Sequence, residues 1–218
     1  MTKDNSGLVR RVEPMQKRAK DSVETILATT AELLDEVGVE AFNTNLLAAR
    51  AKLRIRTIYR YFPNKYAVIY ALTEKLAVDW DRSMMDTYRR LADPSSDWRR
   101  ALKGARGGWL AEFRRVPGAL SVLQAINATP ELNELHFRIF EDMSLKTAAA
   151  LKERGLRLPP KRLLTVARTL INEINTGMDL YLRLSKDDAR LFSAELHTSL
   201  VAYLERYLPN PGTGRRKR

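Results

Sequence analysis

The placement of proline constrains this chain more than any other feature. The nine prolines are Pro14, Pro63, Pro94, Pro117, Pro130, Pro159, Pro160, Pro209 and Pro211. Proline has no amide proton and clashes with the preceding turn, so it marks where helices stop. Between these breaks apolar residues recur every three or four positions, and no run alternates for long in the manner of a half-buried strand. The expected fold class is therefore all-α. Val23, Ile26, Leu27, Thr30, Leu34 and Val37 share one face of a first helix. Asp21 with Glu24 has the spacing of a capping box, with an earlier start to the helix left open, and Gly38 is a natural left-handed stop at its end. Asn43 or Thr44 can cap a second short helix from Asn45 to about Ala51. A third runs from about Ile55 to Tyr61, and Asn64 can cap a long fourth that reaches about Leu91. Further helices are predicted over 97–115, 118–127, 131–154, 160–184 and 187–207, with Gly155 closing one and Ser185 or Asp187 capping the last.

Composition narrows the function. With 218 residues and 44% hydrophobic content, the chain can fill one large core or a small one plus a larger one. It has no cysteine, which excludes disulfides, thiolate nucleophiles and cysteine metal sites. The N-terminus lacks the apolar centre of a signal peptide, and no stretch approaches the roughly 18 apolar residues of a membrane span. A cytoplasmic protein with no membrane partner is expected. The formal net charge of +12 points to a polyanionic partner. No Gly-rich phosphate loop, Ser nucleophile turn or HExxH motif occurs, so no enzymatic activity and no cofactor are expected. His136 and His197 are the two histidines, and Glu134, Glu141 and Asp142 do not share a helical face with His136, so no metal site is expected either.

Residues 38–65 read GVEAFNTNLLAARAKLRIRTIYRYFPNK. Two short helices meet at a tight turn near Lys52 and Leu53. That is the helix-turn-helix arrangement, whose second helix enters the DNA major groove. Arg50, Lys52, Arg54, Arg56, Arg60 and Lys65 are concentrated here, and residues 50–65 hold no acid. Leu47, Ala48, Ala51, Leu53, Ile58 and Phe62 have the spacing to pack a three-helix core. Arg54, Arg56, Thr57, Tyr59 and Arg60 are left for the other faces. Arginine can bond a guanine edge twice, and threonine can touch a thymine methyl or a phosphate. Tyr59 and Lys65 suit phosphate contacts that set register. Two alternatives remain open. One is a basic helical protein that coats DNA or RNA without sequence preference. The other is a small-molecule-binding or enzymatic helical protein whose basic segment is incidental.

TIYRYFPNK resembles the signature of the TetR family of transcriptional regulators, commonly T-[LI]-Y-x-[HY]-F-x-[NS]-K. ETILATTAELLDEVGVEAF and NTNLLAARA resemble that family's first and second helices, and the likeness covers roughly residues 19–72. The resemblance implies a dimer in which each subunit gives one helix-turn-helix to half of a palindromic operator, with a small-molecule pocket in the C-terminal domain. Carried onto this chain, it matches Thr44 at the cap of the second helix, together with Thr57, Tyr59 and Lys65. Asn45, Arg54, Ile55, Arg56 and Arg60 fall at variable positions that tend to face DNA. Three residues depart from the pattern. Lys52 stands where the turn glycine is usual, Arg54 where a small or polar cap is usual, and Arg56 where a small residue is usual. A left-handed Lys52 would be strained.

The expected organisation is a basic arm over 1–18, a three-helix DNA-binding domain over 19–65, a larger helical ligand-binding and dimerisation domain over 66–208, and a disordered basic tail over 209–218. In the larger domain Trp109 and Phe113, one helical turn apart, with Phe137, Phe140 and Met143, are the preferred pocket candidates. Trp80, Met84 and Met178 are further ones, and an effector taken by such residues would be apolar. The resemblance places the dimer interface in the last two helices. There Leu163, Val166, Leu170 and Ile174 form one stripe, and Leu196, Leu200, Tyr203 and Leu204 form another; both can also face the subunit's own core.

Overall fold

The first helix, α1, spans Lys17–Ala41 and begins a full turn before the expected Asp21–Glu24 box. Its cap is Gln16, which accepts the amides of Ala19 and Lys20 on its backbone carbonyl. Lys17, Arg18, Ala19 and Lys20 are strong helix formers, and they carry the helix through the box position. Val23, Ile26, Leu27, Thr30 and Leu34 are buried as their spacing predicts, whereas Val37 is exposed. Gly38 then breaks the helical path at φ 70° and ψ 175°. This is not the left-handed helical region but one that essentially only glycine occupies.

Helix α2 spans Thr44–Arg50, α3 Ile55–Tyr61 and α4 Lys65–Ala92. This computed structural model describes residues 7–103 and 118–208. A helical segment α5 opens at 98 and is described through 103, so the rest of the helix expected over 97–115 lies outside the described residues. The chain continues with α6 Ala119–Ala128, a 3₁₀ turn Pro130–Leu132, α7 Asn133–Glu153, α8 Pro160–Arg183 and α9 Lys186–Glu205. Among the described residues there is helix and turn but no strand. No described helix is long and apolar enough to cross a membrane. The tail over 209–218 lies outside the described residues.

Several helix starts are set by local side chains. Asn64 accepts the Ala67 amide at 2.9 Å to start α4. Asp97 accepts the amides of Arg99 and Arg100 ahead of α5. Ser185, not Asp187, caps α9 by accepting the Asp188 amide. At the end of α4 the Arg154 guanidinium donates to the carbonyls of Arg90, Leu91, Asp93 and Ser96, satisfying acceptors that a helix terminus leaves open.

The described residues form two compact units that divide within α4 after Trp80 and within α7 after Arg138. The unit holding the helix-turn-helix is thus larger than residues 19–65, because it takes in the first half of α4 and residues 118–138. Its interior contains Ile26, Leu33, Leu34, Phe42, Leu47, Ile58, Phe62 and Ile69, all fully buried. Asp35 of α1 joins α6 to this unit by accepting the Gly118 amide at 2.6 Å and the Ser121 hydroxyl at 2.7 Å. A side chain at residue 118 would collide with the Ala31 backbone, and Gly118 also has φ 75°, so only glycine fits there. The second unit packs Leu91, Trp98 and Leu102 against Leu151, Val166, Leu170, Leu200 and Leu204.

Candidate nucleic-acid interface

The turn between α2 and α3 is built by backbone bonds. Asn43 caps α2, accepting the amides of Asn45 and Leu46 at 3.1 and 2.9 Å. Thr44 is therefore the first helical residue, not the cap. At the far end the Leu53 amide donates to Ala48 at 3.0 Å and the Lys52 amide to Ala49 at 3.2 Å. This pair of bonds is the Schellman closure, which needs a left-handed residue just beyond the helix. That residue is Lys52, at φ 54°. The same closure ends α7, where Leu156 donates to Leu151 and Gly155 to Lys152, and there the left-handed residue is glycine. Leu47, Ala48, Ile58 and Phe62 are buried below the turn, and Tyr61 joins them, a core role its place among the basic residues concealed. Ala51 and Leu53 are half-buried.

Charge on this element is sorted by tertiary contact. Arg50 donates through both terminal nitrogens to the two Glu36 oxygens of α1, each at 2.7 Å. The hydrogen bonds from Arg50, ahead of its bare charge, hold the Glu36 carboxyl below its ordinary range. Lys65 donates to the carbonyls of Val39 and Phe42, both at 3.1 Å, and so braces the connection between α1 and α2. Lys52, Arg54, Arg56 and Arg60 remain exposed, with Arg60 lying over the Tyr61 ring. Ile55 and Asn45 are exposed on the same two helices, and Thr57 is half-buried. Thr44 is buried, and its hydroxyl shares a 3.0 Å hydrogen bond with that of Tyr59, which is itself exposed. The structure therefore leaves Asn45, Arg54, Ile55, Arg56, Tyr59 and Arg60 exposed and Thr57 half-buried along α2, the turn and α3, and turns Thr44 and Lys65 inward.

Part of the N-terminal arm is ordered against the same element. The Arg11 amide donates to the Tyr61 carbonyl at 2.8 Å. The Arg11 guanidinium donates to the Tyr59 carbonyl at 3.2 Å. Arg10 lies over the Phe62 ring, and Asn64 donates to the Gly7 carbonyl at 2.9 Å. Leu8 is buried, with 9% exposure. Residues 7–11 thus do not behave as the flexible arm expected over 1–18. The one sequence signal for this docking is an apolar residue ahead of two arginines.

The pocket candidates do not share one environment. Met143 and Met178 are buried, Trp80, Met84 and Phe140 are half-buried, and Phe137 is 62% exposed. Trp109 and Phe113 lie outside the described residues. A polar cluster that sequence spacing did not suggest lies in the second unit. Lys146 of α7 bridges Asp81 at 2.8 Å and Asp142 at 2.6 Å. Burial, then the charges of these two aspartates, pushes the nearby Tyr88 hydroxyl above its ordinary range. Of the interface candidates, Leu163, Val166, Leu170, Leu200 and Leu204 are core residues of the subunit's own second unit. Ile174, Leu196 and Tyr203 are only partly covered on α8 and α9, which pack closely where Leu196 crosses Gly177.

Two family models match the chain. The N-terminal model of the tetR family of bacterial regulatory proteins covers residues 26–72, and a tetracycline-repressor-like C-terminal model covers residues 97–204. The chain is 35% identical over 79 residues to the class G tetracycline repressor of Vibrio anguillarum and 35% identical over 81 residues to the class C repressor of Escherichia coli. These matches take in 36% and 37% of this chain but only 35% and 34% of the repressors. A TetR-family transcriptional regulator from Streptomyces coelicolor superposes with TM-score 0.64 at 27% identity, covering 86% of this chain and 99% of that one. SmeT, solved as a triclosan complex, gives TM-score 0.65 at 18% identity over 91% of this chain and 99% of its own, a likeness of fold. The helix-turn-helix of α2 and α3 and the two matched models agree: the chain belongs to the TetR family of DNA-binding transcriptional regulators.

Proposed function

We propose that this chain is a ligand-responsive repressor that holds a palindromic operator as a homodimer and is released by a small, apolar effector, with no enzymatic step and in the cytoplasm. The observation that carries the reading is the sorting of charge on α2 and α3. Arg50 is paired with Glu36 at the surface and Lys65 is bonded to backbone carbonyls, while Lys52, Arg54, Arg56 and Arg60 face outward with no acid in between. An α-helix fits the major groove, so α3 presents Arg54, Arg56 and Arg60 to guanine edges and adjoining phosphates, and Ile55 to a thymine methyl. Asn45, Thr57 and Tyr59 set register on the phosphates, with Tyr59 steadied by the Thr44 hydroxyl.

A two-fold dimer places two α3 helices on successive turns of one DNA face, about 34 Å apart. The partly covered Ile174, Leu196 and Tyr203 of α8 and α9 support self-association there. The second unit, with Met143 and Met178 in its interior, is the seat of the effector. Two proteins of this fold support a small-molecule effector: SmeT was solved with triclosan, and a TetR variant of Acinetobacter baumannii with minocycline. Effector and DNA stabilise different conformations, so each weakens the other by the same factor.

The test is selection from a pool of genomic fragments by the purified protein at two salt concentrations. Retention of one near-palindromic sequence at both is the expected result. Binding that collapses with salt and selects nothing would instead describe a basic protein that coats nucleic acid, and the repressor reading would be withdrawn.

A further inference from the structure

We infer that residues 7–11 are a second DNA-contacting element, which extends the interface from α3 onto the phosphates flanking each half-site. The inference rests on the operator-binding reading above. Its starting point is where the arm is fastened. Both Arg11 bonds go to carbonyls of Tyr59 and Tyr61, at the C-terminal end of α3. Arg10 covers Phe62, Leu8 is buried, and Gly7 is held by Asn64 at the start of α4. Five residues are thus ordered beside the exposed Tyr59 and Arg60. A helix seated in the major groove ends against the phosphate strand that borders the next minor groove. A segment fastened to that end has this strand as its neighbour.

Charge decides what the segment is suited to meet. Between residues 7 and 20 the chain carries Arg10, Arg11, Lys17, Arg18 and Lys20 against Glu13 alone. Arg50 shows how this fold disposes of an arginine it uses only as a brace, by pairing it with a carboxylate through two bonds. Arg11 is bonded to a carbonyl instead, which leaves its charge un-neutralised, and its side chain is exposed with further N–H groups to offer. Arg10 faces Glu13 at 3.8 Å, a loose contact that a phosphate can replace. The family's N-terminal model begins only at residue 26, so this arm lies outside the residues that model matches.

The experiment compares the full chain with the double variant Arg10→Gln, Arg11→Gln on the operator fragment selected by the full chain. Neither change touches the backbone bond from the Arg11 amide to the Tyr61 carbonyl or the burial of Leu8, so the main docking contacts are kept while charge is lost. Affinity is measured from 50 to 200 mM salt. Each lost phosphate contact flattens the slope of log affinity against log salt by about 0.9, so the ratio of the two affinities should shift about 3- to 12-fold across that range. Deletion of residues 2–12 should flatten the slope at least as much, and should shorten the protected footprint at both outer edges. Parallel slopes and an unchanged footprint would overturn the inference and leave the arm as a brace, with a lowered melting temperature as its mark. If the full chain selects no sequence at all, the operator-binding reading has failed, and the inference falls with it.

Discussion

Replacing Lys52 with glycine should make this protein more stable while weakening its hold on DNA. Lys52 occupies the left-handed position of the closure that ends α2, at φ 54°. A side chain there brings Cβ against the following carbonyl, at a cost of about 1–2 kcal/mol. Glycine removes that cost but adds unfolded-chain entropy of about 0.5–1 kcal/mol. The net gain is therefore roughly 0–1.5 kcal/mol, and for a chain of this length about 2–4 °C accompanies each kcal/mol, so the melting temperature should rise by up to about 6 °C. Lysine also stands near Arg50 and Arg54, and relief of like-charge repulsion could imitate the effect. Lys52→Ala separates the two causes, because it removes the charge and keeps Cβ. Calorimetry should rank glycine above alanine, with alanine close to the parent, while both variants lose the same increment of DNA affinity at low salt. Equal melting temperatures for alanine and glycine would refute the torsional argument.

Three further outcomes follow from other positions. Gly38→Ala should lower stability by about 1–3 kcal/mol through backbone strain alone, since φ is 70° and an added Cβ meets nothing within 4 Å; the urea midpoint should fall with its slope unchanged. Lys65→Met should cost about 1–2 kcal/mol by stranding the Val39 and Phe42 carbonyls, yet leave the salt slope of DNA binding unaltered; a slope flattened by about 0.9 would show that Lys65 reaches a phosphate after all. Burial holds the His136 imidazole below its ordinary value of 6.5, so the unfolded chain takes up a proton that the folded chain resists. Stability should be full above about pH 6.5, fall as the pH drops through that value and below it, and fall less steeply in His136→Gln when denaturation is followed from pH 7.5 to 5.

The helices were legible because their signals are local. Apolar spacing marks the buried face of α1, and Asn43, Asn64 and Ser185 announce helix starts that each needs only its next three residues to form. Where two local signals compete, the sequence leaves the choice open. Asp21 and Glu24 have a capping-box spacing, but the helix-forming residues from Lys17 onward outweigh it. Gly38 was legible as a break and not as to its conformation, because both regions open to it at positive φ end a helix and only the path of the following residues selects between them.

The interface was legible in composition and not in assignment, and the reason is distance along the chain. Six basic residues in 50–65 look equivalent in sequence. Arg50 is set apart by a carboxylate 14 residues earlier, Lys65 by carbonyls 23 and 26 residues earlier, and Arg11 is drawn in by carbonyls 48 and 50 residues later. No periodicity encodes those partners, since each arises only when α1 crosses α2, when α4 starts beside the connection between them, or when the arm meets α3. The same holds for α8 and α9, where one apolar stripe must serve the subunit's own core before any partner. Leu163, Val166, Leu170, Leu200 and Leu204 are consumed by that core. In the dimer proposed above, a second subunit would meet the flank of the stripe, at Ile174, Leu196 and Tyr203, which this core covers only in part. The mixed character of that flank matters: Tyr203 packs edge-on against Tyr207 at 5.6 Å, and Ser199 bonds Glu173 beside it. Aromatic rings with a polar border are enriched where surfaces must close on a partner and still be tolerated by water when open.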